Sequence, residues 1–317
     1  MHIVYCTDAH LSASTPEHPS PRKHRRITYE SDIMAKLQWV RDYIGQFDEC
    51  AVIDGGDSFD RPTEPLVTSI RYAQWWRDIE ARTQKHALQV VGQHTIRGYS
   101  LASIPSCSIG LVQLMGDALL DTHQWKDRTG FTWNIRSLHC DKEVLLGVPN
   151  PPEVLGADII ATHISIGYGY GCTPPEAIRW GSPRIITAAH IHTGFPICEY
   201  NGTVFVAPGA LARLNADEIH RQPQIAHIEV EAGEVLNVEY IPVPHRPAEE
   251  VFDMGGLEQD AEAQQERVEF RETIAQIEAA RASGGGVVED WREALEKMRG
   301  EVGDEVVARL IGYCEGT

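Results

Sequence analysis

Five short apolar runs each end in a cluster of metal-ligand residue types, and this repetition constrains the fold more than any other feature of the chain. The clusters are Thr7-Asp8-Ala9-His10, Gly55-Gly56-Asp57-Ser58-Phe59-Asp60-Arg61, Gly92-Gln93-His94-Thr95, Thr162-His163 and Ala189-His190-Ile191-His192. The runs before them, residues 3–6, 51–54, 88–91, 159–162 and 185–188, read as buried strands, and 144–148 has the same character. Between the first two lies an amphipathic stretch, 29–47, with Ile33, Leu37, Val40 and Ile44 at helical steps and Ser31 as candidate cap. A second helix is predicted over 66–83, carrying Tyr72, Trp75, Trp76 and Ile79 on or near one face. From 203 to 243 the pattern turns to strands (204–206, 225–230 and 235–241) that fit a meander. Strand and helix in alternation predict an α/β layered domain. In such sheets the strand C-termini converge on one edge, so residues distant in sequence can form one site there.

The chemistry of the clusters suits two adjacent divalent cations. Carboxylate and imidazole ligands match Mn, Fe or Zn, and one carboxylate can bridge two ions about 3.5–4 Å apart. A single DxH or HxH also reads as a satisfied buried histidine or a capping aspartate. Five such clusters at successive strand ends would bury several carboxylates and imidazoles side by side, which is costly without a cation.

Composition qualifies this picture. The 317 residues are 42% hydrophobic and carry a formal net charge of −18, a balance that disfavours a simple phosphate-tracking DNA binder. A local cleft or a bound metal can reverse the effect of net charge at a site. Residues 248–317 hold 18 acidic and 7 basic residues, so −11 of the −18 sits there. Helices are predicted over 258–282 and 287–312, joined by Ser283-Gly284-Gly285-Gly286, the second with Trp291, Leu295, Met298 and Val302 as a coiled-coil-like seam. This C-terminal helical hairpin reads either as packed on its own domain or as a docking module for a partner helix. The predicted division is 1–247 and 248–317. The seven cysteines form no CxxC pair, and no run of eighteen apolar residues or signal-peptide pattern is present. These features predict reduced thiols, no membrane span and a cytoplasmic or nucleoid-associated location.

The order DAH, GDSFD, GQHT, TH and AHIH, spanning residues 8–192, resembles that of the calcineurin-like metallophosphoesterases: DxH, GDxx, GNH(D/E), a lone H, then GHxH. Within that superfamily the chain looks most like the SbcD-type nuclease subunits of SbcC–SbcD DNA-repair complexes, including phage-encoded relatives. The residues carrying this likeness are TDAHLS, the Arg25-Arg26 spacer, GDSFDRP and Ala207-Pro208-Gly209-Ala210. The resemblance implies a layered β-sandwich core flanked by helices and two divalent ions, Mn foremost, with Mg, Fe or Zn as alternatives. It implies that Asp8, His10 and His192 hold the first ion, that Asp57 bridges, and that Gln93, His163 and His190 hold the second. It places His94 beside the scissile phosphate. It further implies a DNA substrate, an SbcC-like coiled-coil ATPase bound through the C-terminal helices, and a homodimer.

The chain departs from the family pattern at three positions. Gln93 stands where Asn is usual, Thr95 where an acidic residue normally orients the catalytic histidine, and Ala189 where the GHxH motif has Gly. Asp60 is expected either to line the site or to cap the next helix. Arg61, Arg97, Arg25 and Arg26 are candidate phosphate contacts, the last two from the basic run Arg22-Lys23-His24-Arg25-Arg26, which also reads as a solvated loop. A phosphoesterase for nucleotides or phosphoproteins, and a degenerate non-catalytic scaffold, remain as alternatives to a nuclease.

Overall fold

The computed structural model describes residues 1–13, 24–84, 86–115, 121–214 and 218–259, with a few isolated positions beyond. It divides into two compact units, Met1–Phe252 and Asp253–Thr317. The proposed helices 258–282 and 287–312 and the residues Arg22 and Lys23 lie largely or wholly outside the described residues.

The first unit is an α/β sandwich of two mixed sheets. Its strands are β1 (His2–Cys6), β2 (Cys50–Asp54), β3 (Ala87–Gln89), β4 (Thr122–Lys126), β5 (Thr132–Leu138), β6 (Ile159–Thr162), β7 (Ile185–Ala188), β8 (Phe195–Tyr200), β9 (Thr203–Ala207), β10 (Gln224–Glu231) and β11 (Glu234–Pro242). One sheet has the order β11-β10-β1-β2-β3 and the other β4-β5-β6-β7-β9-β8. Strands β1, β2 and β3 run parallel, as do β5, β6, β7 and β9. Parallel strands place their C-terminal ends together, so each sheet delivers its ligand-bearing loops to one edge.

The alternation of side chains fixes the layers. Ile3, Tyr5, Ile53 and Leu88 from the first sheet meet Trp133, Ile135, Ile159, Ala161, Ile185 and Val206 from the second, forming the buried interior. Ile160, Ile186 and Phe205 face the other way, against Leu145, Val154, Ile178 and Trp180. Helix α1 (Tyr29–Ile44) buries Ile33, Leu37, Val40 and Ile44, and α2 (Leu66–Arg82) buries Tyr72, Trp75, Trp76 and Ile79. Trp75 Nε1 donates to the Leu37 carbonyl at 2.7 Å, locking the two helices together.

Four local expectations need correction. The strands from 203 to 243 form no meander, since β9 pairs with β7 and β8 in the second sheet while β10 and β11 pair in the first. Residues 144–148 are not a strand: Cys140–Gly147 forms 3-10 turns, with Val144 79% exposed and only Leu145 of the run buried. The cap of α1 is Thr28, and Ser31 sits inside the first turn, donating to the Thr28 carbonyl. Strands β4, β5 and β8 add to those expected. Cys6, Cys50, Cys107 and Cys140 are buried free thiols. Among the described residues, no helix is long and apolar enough to cross a membrane.

Candidate metal centre

Beyond Cys6 and Asp54 the chain leaves β1 and β2 in two loops that remain hydrogen-bonded to each other. Asp8 N donates to Gly56 O at 2.9 Å, His10 N to Asp57 O at 2.9 Å, and Leu11 N to Ser58 O at 2.8 Å. Within these loops Asp8, His10 and Asp57 adopt positive φ (51°, 43° and 46°), as does His190 after β7 (73°). Such conformations cost on the order of 1–3 kcal/mol each and persist where the surroundings over-determine them. Four of the expected ligand residues are therefore held in backbone states that turn their side chains into the crevice.

The side chains converge in two groups, Asp8–His10–His192 and Asp57–His163–His190, each with ligand atoms within 4.8 Å of one another. In the first, His10 Nε2 and His192 Nε2 stand 3.2 Å apart. Asp8 Oδ1 is 3.8 Å from each of them and, although fully buried, has no hydrogen-bond partner. Metal–nitrogen bonds of about 2.0–2.1 Å place two ligand atoms roughly 3.0–3.4 Å apart, so this spacing suits a shared cation. An orphaned carboxylate oxygen facing two imidazole nitrogens is costly in a protein interior and is satisfied by a cation.

In the second group, His163 Nδ1 donates to the Gly55 carbonyl (2.8 Å), which leaves Nε2 facing Asp57 Oδ2 at 3.1 Å. A neutral imidazole there would set a lone pair against a carboxylate, so the pair requires a proton or a metal ion between them. Gly56 and Gly92 permit the approach. A Cβ on Gly56, at φ +110°, would lie 2.6 Å from His163 Nδ1, and one on Gly92 would lie 2.1 Å from Asp57 Oδ1. Gln93 reaches the group, its Nε2 lying 2.7 Å from His190 Nδ1. A half-turn of the amide exchanges nitrogen for oxygen at that position.

The electrostatics favour cations at both groups. Burial alone would lower the pKa of His10, but the carboxylates of Asp60, Asp8 and Asp57 around it raise it to about 9. Burial opposes the charge on His163 as well, and Asp57 outweighs it, again to about 9. Asp8 and Asp57 are held below the usual carboxylate range despite burial, chiefly by His10 and His163 respectively. His190 is pushed down by burial and by its neighbour His163. Asp8 also feels His163, and Asp57 feels His10, which makes the two groups one electrostatic unit.

Behind the ligand atoms stands a layer of supports, of which the sequence singles out only Asp60 and Arg25. Asp60 Oδ1 lies 3.2 Å from His10 Nδ1, while its Oδ2 accepts from Arg25 Nη1 at 3.0 Å. The Arg25 guanidinium stacks 3.9 Å from the Tyr29 ring centre, and Tyr29 OH donates to the His10 carbonyl. Glu218 Oε1 lies 3.0 Å from His192 Nδ1, and Glu218 Oε2 accepts from Leu214 N at 2.6 Å. Under the Gly56–Asp57 turn, buried Asp54 accepts from Tyr72 OH (2.5 Å), Ser58 Oγ (2.9 Å), Gln89 Nε2 (3.0 Å) and Gly56 N (2.9 Å). Only the strand-end position of Asp54 and the familiar carboxylate–histidine pairing could have pointed to the others.

The remaining expected residues are placed as follows. His94 is half-buried; its backbone N donates to Asp57 Oδ1 (2.8 Å) and its ring meets that of His10 edge-on at 5.0 Å. Thr95 is buried and donates to the Gly92 carbonyl. Asp60 lies against the site, 3.2 Å from His10 Nδ1, and does not cap a helix; Arg25 is buried behind it in an ion pair, away from the surface where a substrate phosphate would bind. Arg26 is exposed but spends its Nε on the Phe252 carbonyl (2.8 Å). Arg61 pairs with Glu64 (2.9 Å), and exposed Arg97 donates to Thr63 Oγ1 (2.9 Å). A cavity of about 250 Å³, lined by Gln93, Tyr99, Cys140, Glu143, His163 and His190, opens over the second group.

No family model matches the chain, and no curated protein matches it. Among solved structures, it is similar to a conserved uncharacterized protein of Streptococcus pneumoniae TIGR4, described as a predicted phosphoesterase. The two are 14% identical with a TM-score of 0.37, over 78% of this chain and 91% of that one. At this level of similarity, the chemistry must be read from the site itself.

Proposed function

We propose that the chain is a metal-dependent phosphodiesterase acting on DNA, the nuclease subunit of an SbcC–SbcD-like assembly. The observation that carries the phosphoesterase reading is the pair of abutting His/Asp groups, with the orphaned Asp8 Oδ1 in one and the His163–Asp57 contact in the other. Asp8, His10 and His192 would hold one divalent ion, and Gln93, His163 and His190 a second, with Asp57 between them. Bound there, two cations would offset the charge of a phosphodiester and lower the pKa of an attacking water.

The protein's own groups supply the rest. Glu218 and Asp60 keep the Nδ1 edges of His192 and His10 occupied, so that Nε2 of each ring faces the crevice. His94, half-buried beside His10, would protonate or stabilise the departing sugar oxygen. Exposed Tyr99 at the cavity rim offers a face for a base, and Arg97 a cation for the backbone. The order of motifs, with TDAHLS, GDSFDRP and the Ala207-Pro208-Gly209-Ala210 segment, supports DNA over smaller esters. Mn is the ion the resemblance favours.

The acidic segment 248–317 is the proposed contact for a coiled-coil ATPase, which would supply much of the grip on DNA that a chain of net charge −18 lacks. Cleavage of linear duplex DNA with Mn2+, with and without the co-purified ATPase, tests the reading against hydrolysis of a generic bis-ester. His94-dependent cleavage of DNA is the expected outcome. Turnover of nucleotides or phosphoproteins with none on DNA would overturn the substrate, and absence of any turnover with metal bound would favour a scaffold.

A further inference from the structure

A third group of ligand-type side chains, His2, His227 and Glu229, lies at the opposite end of the first sheet, its ligand atoms again within 4.8 Å of one another. His2 begins β1, whereas Asp8 and His10 follow its other end. Six residues at about 3.3 Å each put the two regions roughly 20 Å apart. The antiparallel pairing of β1 with β10 sets His2 opposite Glu229 and Val4 opposite His227, so the three side chains share the face toward α1.

His2 Nδ1 and His227 Nε2 are 3.0 Å apart, close to the spacing of two nitrogens on one cation. The other nitrogen of His227 is already engaged, with Tyr43 OH at 3.1 Å and Glu239 Oε1 at 3.6 Å. That outer pair holds the ring with Nε2 aimed at His2, the arrangement usual behind a metal-bound imidazole. Phe47 stacks on His2 at 4.4 Å and fixes the second ring. A direct N–H···N bond would satisfy the two rings and leave Glu229 unused, whereas a cation uses all three groups. His227 is buried, while His2 and Glu229 are half-buried and line a surface cavity through which an ion can enter.

We propose that His2, His227 and Glu229 form a structural site for a borderline divalent cation, Zn2+ by its ligand set, that clips β1 to β10 and takes no part in hydrolysis. The site does not depend on the phosphoesterase reading. The test is Zn2+ uptake by the metal-stripped full chain, compared among wild type, His2→Gln, Glu229→Gln and Asp57→Asn. Wild type and Asp57→Asn should both hold the equivalent of Zn2+ that His2→Gln and Glu229→Gln lose, and the Zn2+-dependent rise in Tm should be smaller in those two variants than in wild type. Melting in EDTA shows that each variant is folded. Should His2→Gln fail that control, Glu229→Gln, at a half-exposed strand position, decides alone. Equal Zn2+ stoichiometry in wild type and folded Glu229→Gln would overturn the proposal.

Discussion

The two halves of the metal centre are built from different materials. The Asp8–His10–His192 group is backed by anions: Asp60 behind His10 and Glu218 behind His192, with Arg25 compensating Asp60 from farther out. The Asp57–His163–His190 group is backed by a neutral group, the Gly55 carbonyl behind His163, and has the neutral Gln93 amide as a proposed fellow ligand beside His190. Carboxylates behind imidazoles raise their basicity and add to the local negative potential, whereas a carbonyl and an amide orient without adding charge. On the proposed reading, the first half would favour affinity and the second, opening on the cavity, exchange with substrate. Metal should fill the first half before the second.

The largest effect is expected at His94, the residue proposed to serve hydrolysis without holding metal. His94→Ala should lower the turnover number about 10²–10⁴-fold while leaving metal uptake at both halves intact, measured by steady-state kinetics beside metal counting. Loss of metal together with activity would make His94 a ligand rather than an acid. Next in size are the outer carboxylates. Glu218→Gln and Asp60→Asn should each weaken the tighter metal step by about 10–100-fold in a calorimetric titration, with little change in the weaker step. An equal loss in both steps would erase the asymmetry.

A pH titration sharpens the same contrast. His10 and His163, with pKa values raised to about 9, stabilise the metal-free fold fully below about pH 6.5 and lose that contribution as pH climbs through 9. The Tm of metal-free protein should therefore fall between pH 7 and 9.5, while the stabilisation by added Mn2+ grows over the same interval, because the ion replaces the departing protons. A flat Tm across this window would contradict the protonated imidazoles. The smallest effect belongs to Gln93→Asn, which shortens the side chain by one methylene. It should move the weaker metal step by less than about tenfold and leave the tighter step unchanged.

What could be read ahead of the structure follows burial. Strands β6 and β7 are covered on both faces, so Ile159–Thr162 and Ile185–Ala188 appear as unbroken apolar runs with the boundaries expected. Strand β4, Thr122–Lys126, lies at a sheet edge with Trp125 as its one buried residue, and its pattern carries little signal. Residues 144–148 misled because an apolar run looks the same whether it pairs in a sheet or, like Val144, faces solvent. At the site, side chains following strands could be anticipated from their positions. The supports could not: Glu218 lies 26 residues beyond His192, and the Arg25–Asp60 pair spans 35. Long-range pairing of this kind leaves no periodic trace in sequence, and a dense basic run gave no sign that Arg25 turns inward.

On the proposed reading, these two groups together hold a pair of adjacent ions. Anomalous diffraction at the manganese edge, from crystals grown with Mn2+, tests it most directly. Two peaks about 3.5–4 Å apart are expected, one against Asp8, His10 and His192 and one against His163 and His190, with Asp57 touching both. A single peak within these two groups, or none, would contradict it.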